Sequence, residues 1–248
     1  MDVLLAERRG RTQILTLNRP RRRNALDTEL LRALEAGFAA AEADGEVDVI
    51  VLTGTDPAFC GGVDLRELEE RGRAPEMGAP LEGVGKPVIG AVNGPAITGG
   101  LELALMCDLL VASEQAGFGD THGRVGLLPG WGQMARLPAA VGGRRAAELL
   151  LSSRIVGAEE ALAIGLANEV VDEGNHVSRA LEIAEALASF PQPTMLSDRA
   201  AAIDGAGLSL DDGLALEDRL GRQSVITGVL GAARFAEGEG RGGQGAGA

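Results

Sequence analysis

Pro87-Val88-Ile89-Gly90-Ala91-Val92-Asn93-Gly94-Pro95-Ala96-Ile97-Thr98-Gly99-Gly100-Leu101-Glu102 is the stretch on which the fold turns. Its first six residues form a short, nearly continuous apolar run that closes on Asn93-Gly94, as a strand covered on both faces does. From about Gly99 to Met106 the pattern becomes helical, and a second apolar run, Asp108-Leu109-Leu110-Val111-Ala112, follows at once. Upstream, Val47 to Leu52 is another such strand, ending at Gly54. Before it, Asp27 suits the N-cap of an amphipathic helix reaching about Ala43, with Leu30, Leu31, Leu34 and Phe38 on the buried stripe. Val3 to Glu7 and Thr12 to Leu17 alternate apolar and polar around Arg8-Arg9-Gly10-Arg11 and read as a β-hairpin. Strands alternating with helices predict an α/β fold.

Outward from this centre the signals weaken. Arg66 to Arg71 is expected to be a brief charged helix, and the Gly/Pro-rich run up to Lys86 a mobile loop. From Gly130 onward the pattern is helical, and Pro191 and Pro193 punctuate the chain before a last helical region from Met195 to about Glu237. The expected organisation is an α/β core over 1–190, a helical region over 191–237 and a Gly/Ala-rich, disordered tail over 238–248. No internal repeat is visible.

Composition narrows the function classes. A chain of 248 residues, 45% hydrophobic, can bury a full-sized core. No apolar run approaches the roughly 20 residues that span a bilayer. Met1 to Gly10 carries no apolar segment of a secretory signal, so the expectation is a cytoplasmic protein without a membrane span. Cys60 and Cys107 are too few for a disulfide framework, and no Cys/His pair has metal-ligand spacing, so both read as small core residues and no metal is expected. A net charge of −13 disfavours nucleic acid, whose phosphates would be repelled over most of the surface. Arg8, Arg9, Arg11, Arg19, Arg21, Arg22 and Arg23 are the local exception; composition alone favours a solvated edge over a site for a small polyanion.

The nucleophile elbow, zincin, C-x-x-C, P-loop and dinucleotide glycine signatures are absent. What remains are two glycine-containing loops, each after a buried strand: Ala58-Phe59-Cys60-Gly61-Gly62-Val63-Asp64-Leu65, and Asn93 to Glu102. Paired glycines let a ligand approach main-chain N–H groups. The first amides of the helix opening at Gly99 have no intrahelical partner and lie at the positive end of its dipole. Glu102 stands three residues on, on the same face, with its side chain leaning back toward Gly99. A donor for a carbonyl oxygen beside an acid/base for the adjacent carbon is what enolate chemistry needs. The plainer alternative is that Gly99-Gly100 permits close helix packing and Glu102 is a first-turn acid stabilised by the dipole. An isolated G-G-x-E does not decide between them.

Taken together with their surroundings, the two loops closely resemble the enoyl-CoA hydratase/isomerase, or crotonase, superfamily. The resemblance is carried by Asn18-Arg19-Pro20, Asn24-Ala25-Leu26, Ala58 to Leu65, Lys86 to Gly94, Gly99 to Ala104, Cys107-Asp108, Gly126-Leu127-Leu128-Pro129-Gly130 and Ala158 to Gly165, in family order from about residue 3 to 190. It implies a spiral of turn-like ββα units with a C-terminal helical region that builds homotrimers or homohexamers. It implies acyl-CoA thioester substrates, with coenzyme A entering as part of the substrate and no tightly bound cofactor. The oxyanion hole would be the amides of Val63 and Gly99, with Glu102 as acid/base. The Val63-Asp64-Leu65-Arg66 segment would line the adenine end of CoA, and Arg22 or Arg23, beside Ala25, would meet its phosphates.

The pattern departs from the family at one telling point. Hydratases place a second glutamate before the G-x-x-P-G turn, and alignment of Phe118-Gly119 and Gly126 to Gly130 puts His122 there. An imidazole there can orient water or shuttle a proton opposite Glu102; otherwise His122 is a packing residue held by Asp120 or Thr121. Trp131 either walls the pocket or anchors the core. His176 reads as a surface residue. The segment between the loops is shorter than the family's usual, and no CoA-binding lysine is evident near the C-terminus, where Arg234 and Arg241 are weak substitutes. Hydration of an enoyl-CoA leads the expectations, followed by isomerisation, thioester hydrolysis or decarboxylation, and then by non-catalytic acyl-CoA binding.

Overall fold

The computed structural model describes residues 2–72 and 78–236. The hairpin forms as the alternation predicts: β1 (Leu4–Arg9) and β2 (Thr12–Leu17) pair antiparallel with Leu4 opposite Leu17. A short 3-10 turn over Pro20–Arg22 leads to α1 (Thr28–Ala43). Asp27 caps α1 by accepting the Leu30 N–H at 2.8 Å, and Leu30, Leu31, Leu34, Phe38 and Ala41 form its buried stripe. β3 (Val49–Gly54) is buried at all six positions. After α2 (Leu65–Arg71) come β4 (Val88–Val92), β5 (Pro95–Ile97), α3 (Gly99–Met106), β6 (Leu109–Ser113), β7 (Gly117–Gly119) and α4 (His122–Val125). The chain continues through α5 (Gln133–Val141), α6 (Gly143–Ser152), β8 (Val156–Gly157), α7 (Ala158–Ala163), β9 (Glu169–Val171), α8 (His176–Ala188), α9 (Gln192–Asp204) and α10 (Leu210–Ala236).

The main sheet runs β1-β2-β3-β4-β6-β9, parallel throughout except at β1. Its inner strands are buried on both faces, which is why they read as unbroken apolar runs. A second sheet, β5-β7-β8, aligns Ala96 with Phe118 and Phe118 with Val156. None of its strands, nor β9, is legible in the sequence. Two or three residues are too few to display a period of two, and the stretch after Gly130 is helix interrupted by β8 and β9 rather than helix alone.

The described chain falls into two compact units, one ending at Ala184 and the other starting at Glu185. In the second, the expected single helical region is two helices, α9 and α10, broken between Gly205 and Ser209. Glu237, the tail 238–248 with Arg241, and part of the loop before Lys86 lie outside the described residues.

The first unit brings its two glycine loops together through backbone pairing. Leu26 bridges Val63 and Cys60 bridges Ala96, both in parallel sense. Cys60 donates its N–H to the Pro95 carbonyl at 3.0 Å and accepts the Ile97 N–H at 2.9 Å. The start of α3 therefore lies directly on the Cys60 loop, and a Cβ on Gly100 would stand 2.1 Å from the Cys60 carbonyl oxygen. Gly62 is equally constrained: its φ is +92°, and a Cβ there would stand 1.8 Å from Thr98 Oγ1. Gly100→Ala should therefore destabilise the fold by about 2 kcal/mol or more, since backbone cannot yield as a side chain can. Gly123→Ala, where a Cβ meets nothing within 4 Å, should not lower the urea midpoint.

Candidate active site

Leu26 donates to the Gly62 carbonyl at 2.7 Å and accepts the Asp64 N–H at 3.0 Å. In a parallel bridge this leaves the N–H of the intervening residue, Val63, on the opposite side of the strand. Gly99 is the first residue of α3, so its N–H has no carbonyl a turn earlier in the helix to bond. Among the described residues neither N–H has a protein acceptor. The Gly62 Cα lies 3.6 Å from the position of a Cβ on Gly99, and the Trp131 ring approaches the same point at 3.7 Å. Thr98, the N-cap of α3, has φ 53° and ψ −114°, an unfavourable backbone for a β-branched residue. Its N–H is held by the Gly119 carbonyl at 2.9 Å and its hydroxyl by the Ile97 carbonyl at 2.7 Å. These bonds over-determine the strained turn that starts α3 over the Gly62 loop.

Glu102 lies one turn into α3 and is only 3% exposed. One carboxylate oxygen accepts the Trp131 N–H at 2.6 Å; the other lies 3.8 Å from His122 Nε2. Burial raises the proton affinity of Glu102, and the backbone donors and nearby His122 offset that only in part. His122 opens α4, also buried, with Nδ1 2.6 Å from Asp120 Oδ1, which additionally accepts the His122 N–H at 3.1 Å. Burial works against a charge on Asp120, but these bonds outweigh it and hold its carboxyl below the usual range. An ionised Asp120 can only accept, so Nδ1 is the donor and Nε2 is the atom presented to Glu102. Asp120 thus holds the ring, and the ring faces Glu102.

The structure separates the remaining candidates. Arg19, not singled out as a ligand in the sequence, is a structural hub bonded to Asp27 at 2.6 Å, to Asp64 at 3.1 Å and to the Ala25 carbonyl. Asp64 is committed to Arg19 and to capping α2 through the Arg66 N–H at 3.1 Å. Arg22 and Arg66 line a surface recess with Arg71, Glu67 and Glu70; Arg23 and Leu65 are exposed and Ala25 is half-buried. Asn24 carries the loop: fully buried, it donates to the carbonyls of Thr55 at 2.8 Å and Ala58 at 2.7 Å while accepting the Arg19 N–H at 2.8 Å. Its role was hidden because a lone Asn in sequence shows no partners. His176 is half-buried rather than a free surface residue. Cys60 packs: burial pushes its thiol up to about 12. Among the described residues no group of three or more His, Cys, Asp and Glu side chains could hold a metal ion, and no helix is long and apolar enough to cross a membrane.

A carboxyl whose proton affinity is raised on folding adds no penalty below about pH 4.5, the unfolded value, and costs stability as the pH rises through the folded value. Glu102→Gln keeps an acceptor for the Trp131 N–H and removes the charge. The variant should unfold at a higher temperature than the parent near pH 8, and the gain should vanish below pH 4.5; thermal melts across that range check it.

Comparison with known proteins bears on the family and the fold. The family model described as enoyl-CoA hydratase/isomerase matches residues 8–220. A protein of Rhizobium meliloti (strain 1021) named probable enoyl-CoA hydratase is 40% identical over 226 residues, 88% of each chain. The 2,3-dehydroadipyl-CoA hydratase of Escherichia coli (strain K12) is 36% identical over 227 residues, 89% of each chain. The crystal structure of an enoyl-CoA hydratase from Mycobacterium tuberculosis H37Rv is 43% identical, with a TM-score of 0.79 over 90% of this chain and 98% of that one. That of an enoyl-CoA hydratase from Bacillus anthracis superposes with a TM-score of 0.87 at 30% identity, covering 95% of this chain and 96% of that one. The loops, the sheet and these likenesses lead to one assignment: the chain belongs to the enoyl-CoA hydratase/isomerase family and has its fold.

Proposed function

We propose that this enzyme adds water across the double bond of a 2-enoyl-CoA thioester, with Val63, Gly99, Glu102 and His122 as its working groups. The observation that carries the reading is the line Asp120–His122–Glu102, with Glu102 one helical turn from the Gly99 N–H, which like that of Val63 has no protein acceptor among the described residues. The thioester oxygen would take both N–H groups, which stabilise the enolate as negative charge moves onto it; one such donor is worth about 3–4 kcal/mol. Glu102 and His122 Nε2 are 3.8 Å apart, too far for a mutual hydrogen bond but near enough for both to reach one water. As the water oxygen bonds to C3, one of its protons passes to this pair, and the pair returns a proton to C2. Water's O–H breaks, and the C–O and C–H bonds form.

Coenzyme A enters only as part of the substrate. Arg22, Arg23 and Arg66 are the candidates for its phosphates, and Ala25 and Leu65 for its adenine end. Asp64 contributes by holding Arg19 and starting α2. The reading extends to a homotrimer or homohexamer, supported by exposed apolar residues such as Leu128, Leu151 and Ile155.

Incubation with crotonyl-CoA should lower the enoyl thioester absorbance to an equilibrium value, and product mass spectrometry should show a gain of one water; isomerisation would leave the mass unchanged. Glu102→Gln should lower kcat/KM by about 10²- to 10⁴-fold, and unchanged turnover would remove Glu102 from the chemistry. Arg66→Ala should raise KM for the CoA ester several-fold without changing kcat, while the N-acetylcysteamine thioester, which lacks phosphates, should not distinguish the two proteins.

A further inference from the structure

Gln133 opens α5, two residues after the Trp131 N–H that holds Glu102. It is fully buried, and neither its Nε2 nor its Oε1 has a hydrogen-bond partner among the described residues. An unpaired polar atom in the interior is destabilising, and leucine, of similar size, would avoid the penalty. The place of this amide is what gives it meaning. Among the described residues it is the one side chain besides His122 that acts to hold the Asp120 carboxyl ionised, yet it closes no hydrogen bond of ordinary distance and angle with it. A destabilising polar side chain therefore stands at the far end of the line Asp120–His122–Glu102, with α5 packed on the helix that carries Glu102.

We propose that Gln133 is a positioning residue: from behind the site its amide steadies the Asp120 carboxylate and so fixes which nitrogen of His122 faces Glu102. The inference deepens the functional reading above and rests on it for the role of His122. Gln133 touches no reacting atom. Among the described residues, removing its dipole leaves Asp120 with the imidazole and one backbone N–H, so the ring gains freedom to turn and to exchange its proton between nitrogens. The cost of the unpaired amide is then the ordinary stability penalty of a working site.

The test uses Gln133→Leu in the full chain with three readouts. Urea unfolding should show equal or greater stability, because the orphaned amide is gone. With crotonyl-CoA, kcat should fall by about 10-fold or more, as when the outer partner of a metal-bound histidine is removed, while KM stays within about 2-fold. The ¹⁵N shifts of the imidazoles, of which the chain has only two, should show a single Nδ1–H tautomer for His122 in the parent and a mixture in the variant. A stable variant with the parental kcat and the parental tautomer overturns the proposal. Should the variant not fold, a mixed tautomer in the parent itself overturns it. A parent inert toward every enoyl-CoA would sink the functional reading alone, since the imidazole spectra still decide whether Gln133 governs the ring.

Discussion

The structure depends on how closely the start of α3 sits on the Cys60–Val63 loop. That contact is backbone against backbone: the Cys60 carbonyl lies where a Cβ on Gly100 would be, and Cys60 is bonded on both sides to β5. Because no flexible side chain intervenes, the separation of the Val63 and Gly99 amides is set by the main chain itself. Thr98 bears the strain of the turn, and Gly119 in β7 anchors it from the other side. The small second sheet, three strands of two or three residues each, exists to hold this junction.

Against that rigid frame the protein buries three ionisable side chains in a row. Glu102, Asp120 and His122 are each no more than 5% exposed. Desolvation acts against charge on both acids, but their outcomes diverge: Asp120 gathers donors from His122 and is held low, while Glu102 gathers fewer and is pushed up. The two buried carboxyls therefore differ in proton affinity on either side of one imidazole, and the difference comes from hydrogen bonding rather than from exposure.

A second network keeps the opening loop in place. Asn24 ties the Arg22–Leu26 segment to the carbonyls of Thr55 and Ala58, and Arg19 ties it to Asp27 and Asp64. The arginine cluster is thereby divided. Arg19 is structural, Arg9 and Arg11 pair with Glu7 and Asp48, and Arg22 and Arg66 are left at the recess. Composition could not make this division, because two of the pairings, Arg19 with Asp64 and Arg11 with Asp48, join residues 45 and 37 positions apart.

By itself the sequence determined five of the six strands of the main sheet, all but β9, together with α1 and α3, because buried strands and capped amphipathic helices write their burial as local periodicity. Through the family resemblance it also raised the expectation that Val63, Gly99, Glu102 and His122 share one site, and the fold brings Glu102 and His122 within 3.8 Å of each other. The tertiary structure alone decided the second sheet, the hub roles of Asn24 and Arg19, and the line from Asp120 through His122 to Glu102. Those rest on pairings between separate segments, which leave no local pattern to read. Asp120 shows the limit: in sequence it is a neighbour of His122, but only folding places Glu102 on the other side of the ring.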